Sequence, residues 1–126
     1  MKTLANLNAE VLQTTSLDEL HEFSTAGEPS LVVQLVRMFE EFAPQRMVRI
    51  RAALAASNTA TIKAEAHSFK STSANLGARR LSEICAILES VADQITPAEL
   101  STLVDRLQLE VEAAQLALRQ AVRKFA

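Results

Sequence analysis

His67 is one of two histidines in the chain, and the residues around it are basic or small. Lys63 lies four residues before it and Lys70 three after it, so on a helix both lysines neighbour the ring. The other neighbours are Ala64, Ser71 and Ala74. An imidazole has an unperturbed pKa of about 6.5, and nearby ammonium groups disfavour its charged form, which leaves a nucleophilic lone pair. The same ammonium groups would pair with a phosphoryl group, so the pattern indicates a histidine that accepts one.

The chain lacks the parts of an enzyme that draws phosphoryl groups from ATP. Gly27 and Gly77 are the only glycines, so there is no glycine-rich phosphate loop. No Cys–His arrangement or obvious carboxylate pair accompanies His67, and His21 is expected at the surface of a separate segment. A net charge of −2 gives no electrostatic support for nucleic-acid binding. We therefore expect a protein that holds a phosphoryl group without making one.

Composition indicates one helical domain in the cytoplasm. The 126 residues match one ordinary domain, and few Gly and Pro with abundant Ala, Leu, Glu, Gln and Arg favour helix. The lone cysteine, Cys85, excludes an internal disulfide and suits a reducing compartment and a buried, inert position. No apolar run has the length of a membrane span, and the start of the chain lacks a signal-peptide pattern. We expect a single domain over residues 1–126, and the initial methionine favours a free protein.

The N-terminal third carries several helix and turn signals. A first helical stretch is predicted over about residues 4–13, and Ser16 and Glu19 have the spacing of a capping box for a second. Gly27 marks a turn, and Pro29 suits the first position of the next helix. That helix is predicted to place one apolar face on Leu31, Leu35, Phe39, Phe42, Met47, Ile50 and Leu54. Pro44 falls inside it and should kink or split it.

Three further helices follow. The helix with His67 begins after polar caps at residues 57–59, and Gly77 is placed for a left-handed C-cap. Its predicted inner face consists of Ile62, Ala66, Phe69, Ser73 and Leu76. The next helix has Leu81, Ile84, Cys85, Leu88, Val91 and Ile95 in register. Thr96 and Glu99 then form a capping box around Pro97. The last helix shows the most regular seam, comprising Leu100, Val104, Leu107, Val111, Ala114, Leu118, Ala121 and Phe125.

Four long helices with short connections predict an all-α fold, an antiparallel four-helix bundle over about residues 17–125. The N-terminal helical segments would cover one end of it. At about 100° per residue, His67 lies about 140° from the centre of its helix's inner face, so its ring is predicted to be accessible to solvent.

The segment AHSFKSTSANLGA, residues 66–78, resembles the signature of histidine-containing phosphotransfer (HPt) domains. That signature reads Ala-His, then any residue, then Leu, Lys and Gly or Ser. Small residues and a final Leu-Gly follow. The resemblance extends over about residues 17–120. It implies that His67 is the phosphoryl acceptor and that Lys70 is the neighbouring cation that stabilises the phosphoryl group. It also places Ser71 at the small-residue position and Gly77 at the helix end.

Two positions depart from the usual signature: Phe69 stands where Leu is usual, and Ser71 where Gly is commoner. Some family members also carry a polar amide near the histidine in the following helix. Here Glu89 occupies that region, and the resemblance assigns it no role.

The resemblance implies a phosphorelay intermediate without turnover of its own. Its partners would be response-regulator receiver domains or a hybrid sensor histidine kinase, whose phospho-aspartate exchanges its phosphoryl group reversibly with His67. Mg²⁺ would be bound by the receiver, and this chain would need no cofactor or metal. We expect a monomer. The candidate partner surface comprises Lys63, Ala64, Ser71, Ala74, Gly77, Arg79 and Arg80, although both arginines could equally be plain surface charges.

Two other interpretations stay open. One is the dimerisation and phosphoacceptor domain of a sensor kinase, which is expected to have an acidic residue directly after the histidine, where this chain has Ser68. The other is a helical interaction scaffold without phosphoryl chemistry.

Overall fold

The computed structural model describes residues 10–126, in which helices are joined by short connections and no strand occurs. The helices are α1 (Thr14–His21), α2 (Leu31–Ala55), α3 (Thr59–Asn75), α4 (Arg79–Val91) and α5 (Pro97–Val122), with a final 3₁₀ turn over Arg123–Phe125. Helix α2 packs against α3 and α5, and α4 packs against the same two helices. Because short connections at 56–58, 76–78 and 92–96 reverse the chain between them, α2–α5 form the predicted antiparallel bundle.

Helix α1 covers one end of this bundle. Leu17 is completely buried, and Asp18 binds Lys124 beyond the end of α5 at 2.7 Å. Of the predicted first helical stretch, residues 4–9 lie outside the described part of the chain, and residues 10–13 are not helical. The predicted capping box of Ser16 and Glu19 is wrong, because the helix already begins at Thr14. Backbone pairing with the α3–α4 connection holds the preceding residue, Gln13, and sets that earlier start.

Helix α2 is continuous through Pro44, so the proline does not split it. It begins after Ser30, whose hydroxyl accepts a hydrogen bond from the Val32 N–H at 3.3 Å. Pro29 was predicted to be the first helical residue, but it precedes this cap, because the serine hydroxyl is the better cap.

The inner face of α2 differs from the prediction in its first half. Its buried residues are Val32, Val36, Phe39, Ala43, Met47, Ile50 and Ala53. Leu31 and Leu35 are only partly buried, and Phe42 is 47% exposed. Two adjacent apolar stripes run along this helix, and only packing in the bundle selects between them. The partly exposed stripe, which includes Leu35 and Phe42, borders a groove between α2 and α3.

Helix α3 buries the residues predicted for its inner face, and the Asn58 side chain caps it by accepting a hydrogen bond from the Thr61 N–H at 3.1 Å. Gly77 ends it in the left-handed conformation, with φ of +78°. A Cβ at this glycine would overlap the carbonyl oxygen of Gln13, whose N–H donates to the Gly77 carbonyl at 2.7 Å. The glycine therefore serves both the turn and the close approach of the N-terminal segment.

The capping box at the start of α5 is confirmed. The Glu99 N–H donates to the Thr96 hydroxyl at 3.1 Å, and the Thr96 N–H donates to the Glu99 carboxylate at 3.0 Å. Pro97 occupies the first turn, where its missing N–H costs no hydrogen bond. Among residues 10–126, none of the helices combines the length and hydrophobicity that crossing a bilayer requires.

Candidate functional site

The site is built on the middle of α3, where His67 projects away from the core. Its side chain is 66% exposed, which confirms the accessible ring predicted from the helical wheel. Ala66 and Phe69 on either side are buried and fix the rotation of the helix. The ring is therefore presented to solvent from a rigid element rather than from a loop.

A carboxylate from the neighbouring helix holds the ring. Glu89 of α4 places Oε1 at 2.5 Å from Nδ1 of His67 and Oε2 at 2.6 Å from Nζ of Lys70. One carboxylate thus connects the histidine and the lysine, which are both on α3. Its side chain is 28% exposed, so the bridge lies at the edge of the packed region.

Glu89 is the residue of this site that sequence reasoning did not assign. A signal for it exists in the α3–α4 hairpin, because His67 lies ten residues before Gly77 and Glu89 lies twelve after it. Residues at similar distances from a tight connection lie side by side in antiparallel helices. Only the rotation of α4 decides that this carboxylate faces the ring.

The charge next to the ring is negative. Hydrogen bonds from Lys70, which has the larger effect, and from His67 lower the pKa of Glu89 below its usual value. The carboxylate is therefore ionised at neutral pH. An ionised carboxylate can only accept hydrogen bonds, so Nδ1 must donate. In the neutral ring, the lone pair is then on Nε2.

Lys63 does not approach the ring in the way the sequence suggested. Its Nζ lies 3.2 Å from Asp93, beyond the end of α4, and the two form an exposed ion pair. Lys63 and Lys70 are therefore both paired with acidic side chains, Asp93 after the end of α4 and Glu89 within it. The sequence predicts two ammonium groups beside the imidazole, and this prediction is wrong. The structure instead places the carboxylate of Glu89 between the ring and the ammonium group of Lys70.

The residues predicted to form the partner surface separate into two groups. Exposed side chains surround His67 at Ala64, Ser71 and Ala74, and Arg79 is exposed at the start of α4. Gly77, in contrast, is buried beneath the N-terminal segment. Arg80 is bound to the buried Glu110 of α5 by two hydrogen bonds of 2.8 and 2.9 Å. Gly77 is therefore part of the packing, whereas the side chain of Arg80 is 31% exposed and is held to α5 by Glu110.

An apolar groove of about 340 Å³ flanks α3 on the side away from Glu89. Met38 and Phe42 of α2 and Thr72 and Asn75 of α3 are among the residues that line it. The two outer residues of α2 are about half exposed. The groove is thus on the α2 side of α3, opposite the Glu89 carboxylate on the α4 side.

The two remaining nucleophilic or titratable candidates are remote or buried. Cys85 has no exposed surface, and burial raises the pKa of its thiol to about 12, which leaves it protonated and inert. His21 hydrogen-bonds the Ser30 hydroxyl through Nδ1 at 2.7 Å, and its ring lies 5.0 Å from that of Phe125. Within the described part of the chain, no group of three or more His, Cys, Asp or Glu residues could hold a metal ion.

Two comparisons with known proteins found a similar family or structure. The family model described as "Hpt domain" matches residues 34–119, which include His67, Lys70 and Glu89. A crystal structure of histidine-containing phosphotransfer protein B (HptB) from Pseudomonas aeruginosa PAO1 is similar to this chain, with a TM-score of 0.80 and 25% sequence identity. The likeness covers 94% of this chain and 100% of that one. No match to a curated protein was found.

Proposed function

Since the chain belongs to the Hpt domain family, the histidine phosphotransfer intermediates of phosphorelays, we propose that His67 is the residue that carries the phosphoryl group. Membership of this family favours a phosphotransfer function over the two other interpretations, a sensor-kinase dimerisation domain and a helical scaffold. One observation carries the assignment to this residue: His67 is exposed in mid-helix while Glu89 binds its Nδ1, which leaves the lone pair on Nε2.

The proposed reaction is a reversible displacement at phosphorus. Nε2 of His67 attacks the phosphorus of a receiver's phospho-aspartate, an N–P bond forms, and the P–O bond to the aspartate breaks. The aspartate leaves as a carboxylate, and the reverse step returns the phosphoryl group to a receiver. The contribution of this chain is a positioned nucleophile and a nearby cation.

Lys70 is that cation in our proposal. Its ammonium lies 2.6 Å from Glu89, which keeps it beside the histidine before any phosphoryl group arrives. A phosphoryl group on His67 would add negative oxygens that an ammonium group can neutralise.

The partners in this proposal are receiver domains, alone or within hybrid sensor kinases, which supply the aspartate and Mg²⁺. The chain acts as a monomeric carrier without turnover and without a cofactor of its own. Ala64, Ser71 and Ala74 form the contact surface around the ring, because their small side chains leave room for a receiver. The free thiol of Cys85 fits a reducing cytoplasm.

The test replaces His67 by Gln, which keeps a polar side chain and removes the nucleophile. Wild type incubated with a phosphorylated receiver domain should take up label that is labile in acid and stable in base, as a phosphoramidate is. We expect His67→Gln to fold normally and to take up none. His21→Gln, in which the other histidine is removed, is the matched control and should label like wild type. Label retained by a folded His67→Gln protein would contradict the proposal.

A further inference from the structure

We infer that Glu89 keeps the Nδ1 proton on the ring of His67 throughout the transfer, so that the phosphoryl group leaves a cationic ring and neutral imidazole is released. The carboxylate would thereby extend efficient phosphoryl release to higher pH than a neutral side chain at this position would allow. The inference rests on the proposed function and adds a positioning residue to it.

The carboxylate of Glu89 contacts two side chains at once, and this geometry supports the inference. Oε1 receives the Nδ1–H of His67 at 2.5 Å, a short hydrogen bond to a charged acceptor. Oε2 is bound at 2.6 Å to Lys70, which prevents the carboxylate from rotating away from the ring. Because Glu89 belongs to α4 and the other two residues to α3, packing of the two helices maintains this arrangement.

The incoming step creates a positive charge on the ring. When Nε2 donates its lone pair to phosphorus, the donor's P–O bond breaks and the ring becomes an imidazolium that still carries the Nδ1 proton. The carboxylate of Glu89 then faces a cation instead of a neutral donor, and its attraction for that proton increases. A water molecule at the same place could also accept a hydrogen bond from Nδ1–H, but it would give the imidazolium no charge stabilisation.

The outgoing step benefits from the retained proton. The N–P bond breaks as an acceptor oxygen bonds to phosphorus, and the electron pair returns to Nε2. With the Nδ1 proton in place the leaving group is neutral imidazole, whereas without it an imidazolate would have to leave. A glutamine would accept the same hydrogen bond through its carbonyl oxygen, but it carries no charge that holds the proton at alkaline pH.

The other charges around the ring do not replace this effect. On α3, Lys70 is neutralised by Glu89 itself, and Lys63 is paired with Asp93 after α4. On the opposite flank, Arg46 and Arg49 of α2 are both bound to the carboxylate of Glu65. Of the charged groups in the described residues, Glu89 alone is hydrogen-bonded to the imidazole. Glu89 repels the oxygens of a phosphoryl group less strongly than it attracts the Nδ1 proton, because phosphorus is bound to Nε2, across the ring from Nδ1, and because Lys70 partly neutralises the carboxylate.

The experiment needs no natural partner. The full chain is phosphorylated with phosphoramidate, and loss of the phosphoryl group to water is followed by ³¹P NMR from neutral to alkaline pH. The variants are Glu89→Gln, which preserves shape and removes the charge, and Glu112→Gln, a control at an exposed carboxylate on α5. We expect the rate of loss from Glu89→Gln to begin its alkaline decline about one pH unit lower than wild type, because the neutral amide carries no charge that holds the Nδ1 proton. Glu112→Gln should superimpose on wild type.

Superimposable profiles for wild type and Glu89→Gln would overturn the inference. A second measurement uses wild type alone: ¹⁵N NMR of the phosphorylated ring should show Nδ1 protonated at a pH where an unfolded phosphohistidine peptide has lost that proton. Identical titrations of protein and peptide would also overturn it. Label that is absent from wild type, or that persists in His67→Gln, would instead refute the proposed function and the inference with it.

Discussion

At the scale of single residues, the site depends on three side chains from two helices. His67 supplies the ring, and Lys70 supplies a cation that remains beside it because Glu89 binds both. The hydrogen bond from Lys70 is the largest cause of the lowered pKa of Glu89, and that from His67 is the second. In the proposed reaction the lysine therefore acts on the ring through the carboxylate as well as directly on a phosphoryl group.

Removal of the lysine should separate these two roles. In Lys70→Ala we expect phosphoryl transfer to slow about tenfold, equivalent to about 1.4 kcal/mol, the size of one hydrogen bond to a charged group. The pKa of Glu89 should rise towards its ordinary value, as measured by NMR titration of its carboxyl carbon. Lys63→Ala should change neither quantity, because that lysine is paired with Asp93. Unchanged transfer and an unchanged pKa of Glu89 in Lys70→Ala would exclude both roles.

At the scale of secondary-structure elements, the α3–α4 connection sets how the two helices of the site meet. Gly77 turns the chain at φ of +78° and leaves space for the carbonyl of Gln13, and the Arg80 N–H donates to the Glu10 carbonyl at 3.2 Å. The N-terminal segment thus lies across the same connection that brings Glu89 beside His67. The N-terminal segment and this turn therefore pack directly against each other.

A pair of glycine variants tests how much the contact with the N-terminal segment contributes to stability. Gly27 has a similar φ of +84°, and apart from its chain neighbours no atom of residues 10–126 lies within 4 Å of the point that a Cβ would occupy. Gly27→Ala should therefore cost only the backbone strain, about 1 kcal/mol. Gly77→Ala adds the overlap with Gln13 and the loss of its hydrogen bond, and we expect a total loss of about 2–3 kcal/mol. Urea unfolding of both proteins measures the difference. Equal destabilisation would show that the N-terminal segment is not held at this turn.

At the scale of the whole molecule, the bundle leaves one face of α3 open and buries the other. Small residues surround His67 on the open face, and the apolar groove towards α2 adjoins it. A receiver must bring an aspartate to bonding distance of the ring, so bulk or negative charge on this face should hinder docking.

Ala74→Glu tests the docking face without disturbing the core. Because Ala74 is exposed, folding should change by no more than about 0.5 kcal/mol, as checked by thermal unfolding. The rate of transfer from a phosphorylated receiver should fall at least tenfold at concentrations below saturation, a loss of about 1.4 kcal/mol or more. Leu109→Glu is the matched control, since Leu109 is 60% exposed on α5, a helix that packs mainly against α2 and α4. Normal transfer by a stable Ala74→Glu protein would place docking elsewhere.

Features that depend on local periodicity and local hydrogen bonds could be predicted from the amino-acid sequence. The buried face of α3 and the exposed position of His67 follow from the spacing of apolar residues along one helix. The capping box of Thr96 and Glu99 needs only the four residues that form it. In each case the interacting groups are neighbours in the chain, so their types and spacing specify the outcome.

Features that depend on how helices rotate and which segments meet emerged only from the folded molecule. The start of α1 depends on Gln13 pairing with Gly77, and the buried stripe of α2 depends on its two neighbouring helices. The carboxylate that holds the imidazole comes from α4, 22 residues along the chain. Contacts of this kind are set by the packing of complete helices against one another, which no local spacing of residues encodes.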